Sequence, residues 1–238
     1  MATLTRPRGD RDAGATRRTS PGIGRAALVI VGTWVLVLAA VVAFGWLITH
    51  PLRSEVLPWD NGISRWFADQ RTGALNEPAD IGTLLGETIV GVSVAVVAAL
   101  VFSIWKRSWR PAIFLALAEA GIGGFYFVAT HVDTRQRPPV KILDPGLVPT
   151  HSFPSGHTAT AVVAYVGILA LAAAYASPAV RRWAGLLVLL PVFVLLSRLY
   201  QGAHHLTDVL TSLVYATVWL LVLARTLLPL PGASARTD

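Results

Sequence analysis

Six apolar stretches divide the chain, each close to the ~20 residues an α-helix needs to cross a bilayer. They run approximately over residues 27–49, 84–105, 111–130, 158–176, 183–199 and 206–227, separated by more polar gaps. The first exceeds the ~7–15 apolar residues of a secretory signal core, so a retained signal anchor is expected. The first gap, PWDNGISRWFADQRTGALNEPADIG, is long and amphipathic, with Trp59, Ile63, Trp66 and Phe67 at helical spacing. That pattern predicts a short interfacial helix, read as a structural cap and not as a substrate gate. The expected fold is all-α: an integral membrane bundle of six transmembrane helices with one interfacial helix in its first outer loop. Residues 1–26 are expected to form a disordered basic cytoplasmic tail, 27–228 the helical domain, and 229–238 a C-terminal cytoplasmic tail. No internal repeat or second domain is visible.

Composition agrees with this pattern. The 238 residues are 54% hydrophobic and only 14% charged, against about a quarter charged in soluble domains. A net charge of +7 raises the question of nucleic acid. The basic residues, however, cluster in the N-terminal tail and in alternate gaps, as topology signals do, and no nucleic-acid partner is expected. One side carries 13 basic and three acidic residues, the other seven basic and eight acidic. Both termini are therefore expected in the cytoplasm, with the first, third and fifth gaps facing outward across a plasma membrane. The absence of cysteine excludes thiol chemistry and thiolate metal sites.

Candidate chemistry collects on the side assigned outward. In SFPSGH, Pro154 fixes φ before a turn, Ser155 and Gly156 sit at or near a helix N-cap, and His157 falls in the first turn. Free N–H groups and the positive end of a helix dipole favour an anion there, and His157 can donate a proton. A capped helix with its histidine at headgroup level is the plain alternative. In SRLYQGAHHLTD, His204 and Asp208 are four apart and share a helix face. A carboxylate on one ring nitrogen leaves the other free as a nucleophile. Gly202 supplies a turn, and Arg198 offers a forked cation suited to phosphate. Here the alternative is an interfacial His–Asp pair beside a snorkelling arginine. His205 leaves the register and reads as a loop residue. Glu119, mid-span, is either functional or a packed carboxyl; Glu87 is a candidate partner for an outer arginine. Thr160, Ala164, Gly167 and Ala170 are expected to permit close helix packing.

Taken together, Arg137-Pro138, then Pro154-Ser155-Gly156-His157, then Ser197-Arg198 with His204 and Asp208, resemble the signature of the type 2 phosphatidic acid phosphatase superfamily of lipid phosphate phosphatases. The likeness covers the chain from the second span onward. The resemblance implies that His204 attacks phosphorus to form a phosphohistidine, that Asp208 orients it, and that His157 protonates the leaving group. It further implies that Arg137, Ser155, Gly156 and Arg198 hold the phosphoryl oxygens, without metal or other cofactor. The implied substrate is a lipid phosphate or an isoprenoid pyrophosphate such as an undecaprenyl carrier, drawn from the surrounding membrane lipids. A phosphotransferase to a lipid or sugar, or a non-catalytic lipid-binding or transport relative, are the alternative readings. One position departs from the family pattern. The lysine expected seven residues before Arg137 is Thr130, which leaves Arg135 as the candidate replacement cation, with His131 and Lys141 behind it.

Overall fold

A computed structural model describes residues 22–229; residues 1–21 and 230–238 of the expected tails lie outside the described part, while residues 23–26, expected in the disordered tail, form the first turn of a helix. Among the described residues the regular elements are all helical, and the one β-type pairing is an isolated bridge between Arg135 and His151. Six helical spans among the described residues have the length and apolarity to cross a membrane. They are α1 (Ile23–Thr49), α4 (Thr88–Lys106), α5 (Arg110–Val132), a fourth over Gly156–Tyr175, a fifth over Pro178–Tyr200, and α10 (Leu206–Leu227). The fourth is α6 (Gly156–Ala161), a π-helical turn over Val162–Val166 and α7 (Gly167–Tyr175). The fifth joins α8 (Pro178–Ala184) to α9 (Leu189–Tyr200) through a 3₁₀ turn. The chain is a multi-pass membrane protein.

The first long gap holds two helices where one is expected, α2 (Arg53–Asp69) and α3 (Gly73–Gly86). The second of these takes residues 84–86 from the expected second span. Glu87 adopts φ −57° and ψ 137°, which ends α3 and turns the chain into α4. Apolar residues flank the break on both sides, so hydropathy runs through it unmarked. In α2 the buried residues are Asp60 and Ser64, while Trp59 and Trp66 are exposed. Its polar face turns to the protein and its indoles turn outward, as suits a helix at a bilayer interface.

The fourth span lies at the centre. Ala159, Ala161, Val162, Val163 and Ala164 are essentially inaccessible. Helices α4, α5, α9 and α10 surround it, and α1 packs outside against α5 and α10. Between helices in lipid, attraction comes from close van der Waals contact, so small residues matter. A Cβ on Gly91 would stand 2.1 Å from the Thr160 methyl carbon, and one on Gly167 would stand 2.8 Å from Leu115 Cδ2. The expected small-residue packing is thus present at Thr160 and Gly167. Helix α3 approaches α9 equally closely, with Gly82 against Ser197.

Candidate active site

Three polar segments meet at one end of the bundle: the connection from Asp133 to Ser155, the start of α6, and the turn from Gln201 to His205. Gly202 makes that turn with φ +70°, where a side chain is disfavoured. The turn delivers His204, 3% exposed, onto Ser152. His204 Nδ1 lies 2.6 Å from the Ser152 carbonyl oxygen. A carbonyl only accepts, so Nδ1 carries the proton and Nε2 keeps its lone pair. Burial, reinforced by the Arg198 and Arg137 cations against the pull of Asp208, lowers the His204 pKa to about 4. The imidazole is neutral at ordinary pH.

Asp208 acts on His204 at one remove. Its Oδ2 is 3.8 Å from His204 Nδ1, too far for a hydrogen bond. That oxygen accepts from Ser152 Oγ at 2.6 Å and from the His205 N–H at 2.8 Å. Ser152 therefore bridges the pair, donating its hydroxyl to Asp208 and offering its carbonyl to His204. His205 is no idle loop residue: it is 1% exposed and its Nε2 is 3.1 Å from Asn61 Oδ1.

Arg135, the candidate replacement cation, is engaged elsewhere. Its guanidinium pairs with Asp60 at 2.7 Å and with Asp208, and it is 5% exposed. Two carboxylates already satisfy its charge, and it does not line the cavity that holds the histidines. Nor do His131 or Lys141. Thr130 is buried and donates to the Tyr126 carbonyl one turn earlier in α5.

That cavity, about 290 Å³, lies among α4, α5 and α6. His157, His204, Arg137, Gly156, Tyr126 and Glu119 contribute to its wall. At its rim Thr88, Val92 and Gly123 are exposed on the flank of the bundle. Arg137 donates through Nε to Val148 and through its two terminal nitrogens to Ala203 and His151 carbonyls. Burial, with Arg198 adding to it, lowers its pKa, yet it remains a cation because arginine starts above ~12. Arg198 is fully buried. Thr83 and Gln201 take its Nη1 at 3.1 Å, Asp144 Oδ2 lies 2.8 Å from Nη2, and Nε has no hydrogen-bond partner among the described residues. Ser155 corrects its expected role: its Oγ caps α6 at Thr158 and its N–H donates to Ser212 Oγ. It shapes the helix start, whereas Gly156 and His157 meet the cavity. His157 Nε2 lies 3.2 Å from Glu87 Oε1, so Glu87 pairs with a histidine and not with an arginine. Glu119 Oε1 is buried without a partner among the described residues.

The sequence-expected His157, His204, Arg137 and Gly156 thus converge on one cavity, with Asp208 and Arg198 behind them. Ser152, Asp60, Thr83, Tyr126, Asp144 and the pairing of Glu87 escape sequence reasoning. Of these, only Ser152 carries a signal, since it sits two residues before the Pro-Ser-Gly-His motif.

The family model described as the PAP2 superfamily matches residues 88–229. No curated protein matches the sequence. Among solved structures, the chain resembles a transmembrane PAP2-type phosphatidylglycerolphosphate phosphatase from Bacillus subtilis. The match has 23% identity and a TM-score of 0.63, covering 82% of this chain and 94% of that one.

Proposed function

The chain belongs to the PAP2 superfamily, and from that premise we propose that it hydrolyses a lipid phosphate or isoprenoid pyrophosphate at the extracytoplasmic membrane face. The observation that carries this reading is His204: neutral, its Nε2 lone pair unused, and on the same cavity wall as Arg137 and His157. The Nε2 pair attacks phosphorus and the P–O bond to the leaving group breaks. The leaving oxygen takes a proton from His157. Arg137 and the N–H groups at the first turn of α6 hold the equatorial oxygens, and Arg198 adds positive charge from behind the cavity wall, as charge on those oxygens grows in the transition state. Water then attacks the phosphohistidine, giving a proton to His157, and the P–N bond breaks to restore His204. Charge is met by protein groups throughout, and no metal is invoked. The exposed rim between α4 and α5 suits a headgroup arriving sideways from the bilayer while its chains stay in lipid.

The test uses purified protein and a panel of lipid phosphates and diphosphates. Wild type is expected to release inorganic phosphate with chelator present and to yield an acid-labile phosphoenzyme. His204→Ala should do neither. Because the nucleophile must be neutral and titrates near pH 4, its acid limb in kcat/KM should lie below pH 5 after allowance for substrate ionisation. Turnover persisting in His204→Ala would overturn the covalent route; phosphate appearing mainly on an added lipid or sugar would make the protein a transferase.

A further inference from the structure

We propose that Glu87 is the positioning residue of His157, a carboxylate that orients the imidazole and balances its charge when it carries the proton for the leaving group. The proposal rests on the reading of His157 as proton donor. Glu87 stands at the break between α3 and α4, so the kink that hydropathy misses sets a carboxylate at the mouth of the site. Its Oε1 is 3.2 Å from His157 Nε2. A carboxylate accepts, so this nitrogen carries a hydrogen, and Nδ1 is left to exchange the proton with the reacting oxygen.

The groups facing His157 explain why an anion is needed. Arg137, Arg198 and His204 approach it, and Tyr126 and Glu119 share its cavity. Two of these are fixed cations. Imidazolium formed beside them, in a site sheltered from water, is unfavourable unless an opposite charge is close. Among the described residues Glu87 is the carboxylate in hydrogen-bond contact with the ring. Its side chain is 47% exposed, so it stands at the boundary between the imidazole and solvent. Gly86 permits the approach, because a Cβ there would stand 3.0 Å from His157 Cβ. In the reaction Glu87 neither gains nor loses a proton: the proton passes between His157 and the leaving oxygen, and later from water to His157.

The test measures kcat/KM, which reports the first phosphoryl transfer, for octyl phosphate and p-nitrophenyl phosphate. An alkoxide needs protonation and a nitrophenolate barely does. Glu87→Gln keeps the size of the side chain and removes its charge. It is expected to lower kcat/KM about tenfold or more on octyl phosphate and less than about twofold on p-nitrophenyl phosphate. Glu87→Asp should restore part of the octyl phosphate rate. His157→Ala, measured alongside, should show the same split more strongly. If His157→Ala shows the split and Glu87→Gln does not, or loses both substrates equally, the role of Glu87 is overturned while the function stands. If His157→Ala itself loses both substrates equally, the proton-donor reading falls and takes the proposal with it.

Discussion

Truncating Arg135 removes the partner of two fully buried carboxylates, Asp60 and Asp208. Leaving buried charges uncompensated costs about 3–5 kcal/mol. Arg135→Met should therefore lower the thermal midpoint in detergent sharply, while KM of the protein that stays folded remains within about twofold of wild type, less than ~0.5 kcal/mol. Adding Asp60→Asn should recover part of the stability. A raised KM with an unchanged midpoint would return Arg135 to the phosphate site. The same neighbourhood shows what single residues disclose in advance. His204 and Asp208 are legible because four residues on a helix start share a face. The Ser152 bridge is not, because His204 is held by a main-chain oxygen 52 residues away. A carbonyl has no side-chain signature. Arg135 misleads for a related reason: its proximity to Arg137 in sequence says nothing about which carboxylates reach it first.

Helices α3, α4 and α6 meet where glycine lets them. At Gly86 a methyl group would fall 2.6 Å from Val194 Cγ1 and 3.0 Å from His157 Cβ. Gly86→Ala should cost about 1–3 kcal/mol from overpacking and should lower kcat/KM as well, since His157 must shift. Gly62→Ala in α2, where no described residue lies within 4 Å, should change neither; thermal midpoints and octyl phosphate kinetics of both variants check this. Six spans are legible at this scale because bilayer thickness imposes one length on all of them. The break at Glu87 and the π-helical turn at Val162–Val166 are not. Both occur inside apolar sequence, where packing against neighbours and not local propensity decides the path. The interfacial helix is half legible: aromatic spacing marks α2, but its buried face is the polar one, chosen by Arg135 and Thr207 bonding to Asp60.

Across the whole molecule, alternating spans put the connections after α4 and α7 at the end opposite His157 and His204. The first is flanked by Lys106, Arg107 and Arg110, and the second leads into Arg181 and Arg182. The excess of basic residues on that end predicts that it faces the cytoplasm. In this cysteine-free chain, Lys141→Cys should react with an impermeant thiol reagent in intact cells and Arg182→Cys only after permeabilisation. The reverse pattern would invert the protein and move its substrate to the inner leaflet.

Asp144 rests its carboxylate on Arg198, so the fully buried cation behind the cavity already has a counter-ion within the fold. On the proposed function, a phosphate reaching the cavity meets Arg198 as half of a standing ion pair, and this cation contributes less than a free guanidinium would. Asp144 is tethered to the connection ahead of α6 and holds its place at high effective concentration. A site built in this way would trade some grip on its substrate for ease of product release, favouring turnover over affinity.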